Sequence, residues 1–129
     1  MLFRSHDQQT RVPIAGFGDG LHRALLLACA LVRCRKGVLL IDEIDDGLHY
    51  SLLPKLWRFL VEGARELDVQ VFATTHSKDC LEAIDLLYRE QPEVALDISV
   101  HRLEAGRTDT VDLGAKDVSV VLMSDQEVR

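Results

Sequence analysis

The chain has 129 residues and a net charge of −6, and 47% of its residues are hydrophobic, 28% charged and 5% aromatic, which suits one globular domain and excludes wholesale disorder. Arg33, Arg35 and Lys36 interrupt the longest apolar run, so no stretch approaches the roughly 18 residues of a membrane span. Residues 1–40 carry six basic side chains against Asp7 and Asp19, a net of +4 that leaves −10 for the remainder.

A basic segment beside an acidic one can help hold a polyanion, or can be an ordinary solvated helix face. The overall acidity argues against a broad DNA-binding surface on this segment. Arg4, His6 and Asp7 leave no apolar signal core, which predicts a cytoplasmic protein. Cys29, Cys34 and Cys80 are odd in number and lack metal-site spacing, so they read as reduced, mostly buried thiols.

Residues 1–15 have no clear periodicity, and Pro13 marks an extended or turning lead-in. Gly16, Gly18 and Gly20 alternate just ahead of an apolar stretch from Leu21 to about Val32 that reads as a helix. Asp19 is placed to cap it. Leu21, Leu25, Ala28 and Val32 share one face and Leu26 and Leu27 widen it, which predicts burial on more than one side.

Gly37 introduces Val38–Ile41, an apolar run without polar alternation that suits a strand buried on both faces of a parallel sheet. Asp42 and Glu43 follow at once. Carboxylates are rarely buried without a partner, so this pair should face a cleft, with a metal ion or a reacting water opposite. A second helix is predicted from about Ser51 to Leu67, with Pro54 in its first turn and Leu53, Leu56, Leu60 and Trp57 inward.

Val69 to Thr75 is β-branched and apolar and reads as a second buried strand, ending at His76 and Ser77. The order strand, helix, strand implies a parallel crossover, which brings Asp42, Glu43 and His76 to one sheet edge. A third helix should run from about Lys78 to Arg89. Alternation at Ile98, Val100 and Leu103, a turn at Ala105-Gly106-Arg107 and renewed alternation from Thr110 to Leu113 predict an antiparallel hairpin. Val118 to Leu122 suggests one more short strand, and Asp125 to Arg129 should fray.

Hydrolysis of a nucleoside triphosphate needs a cation on the phosphates and a polarised water in line with the breaking bond. Asp42 can hold magnesium, Glu43 can orient or deprotonate the water, and His76 can donate to a terminal phosphate. Gly18 and Gly20 at a helix start offer backbone amides to an anion. Taken singly, each has a plainer reading as a solvated strand end, a structural histidine or a flexible turn. His49 beside Asp45 and Asp46 could belong to a metal site, but it reads better as a polar turn capping the second helix.

The order and spacing of Gly18-Asp19-Gly20, Leu39 to Glu43, Ile44-Asp45-Asp46-Gly47-Leu48-His49 and Thr74-Thr75-His76-Ser77 resembles the ATPase head of the ATP-binding-cassette type, in its RecF-like, SMC-like and OLD-family branch. The resemblance covers roughly residues 16–90 and, more loosely, the hairpin to Leu113. It implies that Asp42 is the Walker B carboxylate associated with magnesium, Glu43 the catalytic base and His76 the switch histidine. Gly18, Asp19 and Gly20 would form a signature reaching nucleotide held by a partner subunit. Asp46 and Gly47 would lie in the D-loop, and the whole would act as a dimer closing on ATP.

Gly18 stands where the family's signature has Ser, and Ile44 where it has Pro. None of the eight glycines is followed by Lys and Ser or Thr, so the phosphate-cradling Walker A loop is missing. The sequence therefore predicts an α/β fold: a partial P-loop NTPase parallel sheet flanked by helices, with a C-terminal antiparallel β-hairpin. Its divisions are a lead-in over 1–15, the C-terminal half of an ATPase domain over 16–95, and a hairpin and tail over 96–129. A Walker A lobe would come from a parent chain or a partner, and nucleic acid could be engaged through that parent. The alternatives are a non-catalytic interaction or dimerisation module derived from such an ATPase, and a metal-dependent nuclease using Asp42, Glu43 and Asp46.

Overall fold

The computed structural model describes residues 2–4, 11–13, 18–106 and 108–123, with side chains from residue 18 onward. The chain runs through β1 (Leu2–Arg4), β2 (Arg11–Pro13), α1 (Asp19–Arg33), β3 (Val38–Ile41) and a 3₁₀ turn at Tyr50–Leu52. It continues through α2 (Leu53–Leu67), β4 (Gln70–Ala73), α3 (Lys78–Glu90), α4 (Pro92–Ala95), β5 (Val100–Arg102), β6 (Val111–Leu113) and α5 (Ala115–Met123). The expected fraying of 125–129, Gly16 and the Arg107 end of the hairpin turn lie outside the described residues. No described helix is long and apolar enough to cross a membrane.

β3 and β4 pair in parallel, with α2 as the crossover between them, in the register Val38↔Gln70 to Ile41↔Ala73. Leu39 and Ile41 enter a buried cluster with Leu27 and Leu31 of α1, Leu53, Leu56 and Leu60 of α2, and Cys80 and Ala83 of α3. Burying each such aliphatic side chain stabilises the fold by about 1.5–3 kcal/mol. Leu31 and Gly63 mark where α1 and α2 come closest: a Cβ added at Gly63 would lie 2.6 Å from Leu31 Cδ2.

The strand is not buried on both faces. Val38, Leu40 and Phe72 point away from the cluster, and Leu40 is 75% exposed, because no described element packs on that side. The same bareness corrects the reading of α1. Its buried residues are Leu27 and Leu31, whereas Leu21, Leu26 and Val32 are exposed, so a single stripe is covered. Asp19 opens the first turn without capping it, since Gly18, at φ 85°, occupies the N-cap.

α2 begins two residues later than the sequence predicts, after the 3₁₀ turn, and buries Leu53, Leu56 and Leu60 as expected, with Trp57 partly buried against the cluster. His49 caps that turn, its Nδ1 accepting from Ser51 N at 3.4 Å. α3 is capped by Ser77, whose Oγ accepts from Cys80 N at 3.4 Å. The unforeseen α4 is tied to α2 by Arg65, which pairs with Asp97 and donates to Glu93 O at 2.6 Å. β5 and β6 form an antiparallel hairpin. A second antiparallel pair, β1 with β2, lies in the lead-in, where the sequence offered no periodicity.

The predicted strand at Val118 to Leu122 is a helix, α5. Two contacts override the β-branched run. Asp117 Oδ2 accepts from Gly114 N at 3.0 Å, while Gly114 O accepts from the Asp117 and Val118 amides, which starts a helix. Val118 is then fully buried, and Ser119 Oγ donates to Asp85 Oδ1 on α3 at 2.5 Å. The thiols also divide: Cys80 is buried and Cys34 partly so, but Cys29 is exposed because it lies on the bare side of α1.

Candidate functional site

The register of β3 on β4 decides what meets at the strand ends. With Ile41 opposite Ala73, the following residues Asp42 and Thr74 face each other. Thr74 Oγ1 donates to Asp42 Oδ1 at 2.5 Å and accepts from Glu43 N at 3.0 Å. The backbone ladder runs on past the strands, with Thr74 N donating to Ile41 O at 2.9 Å and Ile44 N to Thr74 O at 3.0 Å. One position further, Thr75 Oγ1 donates to Asp45 Oδ1 at 2.5 Å and accepts from Ser77 N at 3.0 Å. Two threonines thus pin two carboxylates across the sheet.

Glu43 sits in the left-handed region, at φ 47°. For a residue with a Cβ this costs about 1–2 kcal/mol and persists only where surrounding contacts enforce it. Here Arg23 of α1 supplies part of the enforcement, its Nη2 donating to Asp42 O at 3.2 Å and to Glu43 O at 3.1 Å. Asp46 N donates to Glu43 O at 3.0 Å from the other side, and Ile44 between them is fully buried. The Glu43 side chain stays exposed, with Oε1 3.7 Å from His76 Nδ1, an ion pair when the imidazole is protonated.

A second set of candidates gathers elsewhere. Asp19, Gly20, Gly47 and Leu48 line a groove of about 600 Å³ that continues over Leu52, Lys55 and Phe59. Gly20 lies close under this loop: a Cβ there would meet Leu52 Cδ1 at 3.5 Å and Leu48 Cδ2 at 3.7 Å. Gly47, at φ 70°, makes the turn that brings the loop over α1. Gly18 precedes the groove and Asp46 lies exposed just before Gly47. Asp42, Glu43 and His76 do not line the groove, so the sequence candidates form two groups, and Arg23, on the same helix as Asp19 and Gly20, bonds the Asp42–Glu43 backbone.

Among the described residues no three His, Cys, Asp or Glu side chains converge as a metal cage. Magnesium asks for less: one or two carboxylates, the remaining ligands being phosphate and water. Asp42, an exposed carboxylate oriented by Thr74, fits that donor chemistry. Cys80, beneath the site, offers no nucleophile. Burial first, and then the charges of Asp45 and Asp79, push its thiol from 9.0 up to about 11.

Sequence reasoning placed Asp42, Glu43 and His76 at one edge but assigned nothing to Thr74, Thr75 or Arg23. The threonines had a signal, since the parallel register sets Thr74 beside Asp42. Arg23 had none beyond its charge, because its partners are backbone carbonyls 19 and 20 residues away.

Residues 1–80 match the family described as "AAA domain, putative AbiEii toxin, Type IV TA system". The chain is 35% identical over 88 residues to an ATP/GTP phosphatase of Helicobacter pylori, a match covering 66% of this chain and 24% of that protein. It is also 39% identical over 70 residues to an uncharacterized protein of Methanocaldococcus jannaschii, covering 54% of this chain and 59% of that one. The chain thus spans less than two thirds of either relative, and about a quarter of the first. With its parallel strand pair, flanking helices and a match over residues 1–80, the chain belongs to this AAA-domain family.

Proposed function

We propose that this chain is the C-terminal part of an ATPase domain of the ATP-binding-cassette type, RecF-, SMC- or OLD-like, which hydrolyses ATP once a Walker A lobe is supplied by a parent chain or a partner. The observation that carries the reading is the Thr74 bridge. One hydroxyl orients Asp42 and fixes the Glu43 backbone at the shared edge of β3 and β4, with His76 3.7 Å from Glu43. The nucleotide-directed description of the Helicobacter pylori relative supports the same chemistry.

In this reading Asp42, the Walker B carboxylate, would hold magnesium, which would supply charge neutralisation on the phosphates. Glu43 orients a water against the terminal phosphorus and accepts its proton on a carboxylate oxygen, while ADP departs. His76 donates to the terminal phosphate and, through Glu43, registers whether it is still attached. Gly18, Asp19 and Gly20 serve as a signature that meets nucleotide held by a second subunit. Asp46 and Gly47 form the D-loop beside it, so hydrolysis opens a dimer closed on two ATP molecules.

The test is co-purification of the chain with a Walker A lobe, followed by phosphate-release kinetics with magnesium and ATP. Turnover should fall by about 10²–10⁴ in Glu43→Gln while ATP affinity is kept, as loss of general-base assistance requires. Absence of turnover, or turnover indifferent to Glu43→Gln, would contradict the mechanism. The bare apolar face of Val38, Leu40 and Phe72 favours a second reading, an interaction or dimerisation module without catalysis. That module would stimulate its partner equally well with Asp42 and Glu43 replaced.

A further inference from the structure

Arg23 lies one turn inside α1, after the Gly18-Asp19-Gly20 segment, and is half-buried. Its Nη2 donates to two successive carbonyls, Asp42 O at 3.2 Å and Glu43 O at 3.1 Å. Its Nε is buried and has no hydrogen-bond partner among the described residues. Bonds from a charged donor are among the stronger ones, so this guanidinium ties the two carbonyls to α1. Those two carbonyls set the peptide planes on either side of Glu43. They therefore set the direction in which the Glu43 side chain leaves a backbone already held at φ 47°.

We infer that Arg23 is a positioning residue for the Glu43 carboxylate, coupling the start of α1 to the aim of the base. This rests on the reading of Glu43 as base. The coupling has a consequence for a composite site: a contact that shifts Gly18-Asp19-Gly20 moves Arg23 with it, and Arg23 carries the shift to the Asp42–Glu43 turn. Arg23 acts only through that backbone and touches no reacting atom.

The test compares Arg23→Gln, Arg23→Lys and Glu43→Gln in the hydrolysing assembly of the chain with its Walker A lobe. Misaiming the base should cut kcat in Arg23→Gln by about 10²-fold, the scale of an ångström-sized misplacement, with KM for ATP essentially unchanged. Arg23→Lys, which keeps a charged donor, should recover part of the loss. Amide exchange over residues 41–48 should quicken in Arg23→Gln while exchange over α2 stays as it was.

Wild-type kcat in Arg23→Gln, with turnover lost in Glu43→Gln, would overturn the assignment of Arg23 alone. A fall in kcat matched by faster exchange over α2 and by weakened ATP binding would overturn it in favour of a merely structural role. Turnover that survives Glu43→Gln would remove the base reading, and the Arg23 assignment with it.

Discussion

Thr74 does two jobs with one oxygen, donating to Asp42 and accepting from Glu43 N, and neither is visible in a strand that simply reads as β-branched. Thr74→Val preserves shape and strand preference but removes both bonds. It should lower ATP turnover by at least about tenfold and destabilise the chain by about 0.5–1.5 kcal/mol, since water can reach the exposed groups it leaves, whereas Thr74→Ser should retain most of each. Phosphate release and urea unfolding of the two variants check this. That Asp42, Glu43 and His76 share one strand edge was legible because acidic and imidazole groups at strand ends stand out against apolar runs. Their supports were not, since a hydroxyl or guanidinium bonded across 19 to 32 residues leaves no periodic trace.

At the scale of elements, the hydrophobic period located three helices and two parallel strands, and it failed where tertiary contacts took over. α5 formed because Asp117 starts a helix from Gly114 and Val118 buries as α5 packs on α3, outweighing β-branched preference. The stripe on α1 was misjudged because apolar residues on its far side have no cover among the described residues. Nothing in the sequence singles out Gly63, yet Leu31, 1% exposed, fills the space a methyl would need. Gly63→Ala should therefore destabilise the chain by about 1–3 kcal/mol through overpacking, despite a helix-propensity gain of up to about 1 kcal/mol. Stabilisation of the variant in urea would show that Leu31 moves aside freely.

For the whole molecule, the feature that composition alone could not reveal is the one-sided sheet. Leu39 and Ile41 face the helices, while Leu40 and Phe72 cover the other face with exposed apolar surface. That face is open to the Walker A lobe of the proposed assembly as well as to the partner of a non-catalytic module. Leu40→Thr, which keeps strand preference, should leave the chain's own stability within about 0.5 kcal/mol, as expected of an exposed site. It should weaken co-purification with the lobe, and unchanged capture would place the lobe elsewhere.

The most direct measurement is the chemical identity of the nucleotide held by the assembly. Radiolabelled ATP is mixed with the chain and its Walker A lobe, in wild-type and Glu43→Gln forms, and acid-quenched within one turnover. ADP in the wild-type protein with intact ATP retained by Glu43→Gln is the predicted result. Equal ADP in both, or no bound nucleotide in either, would contradict the assignment of this strand edge as the hydrolytic site.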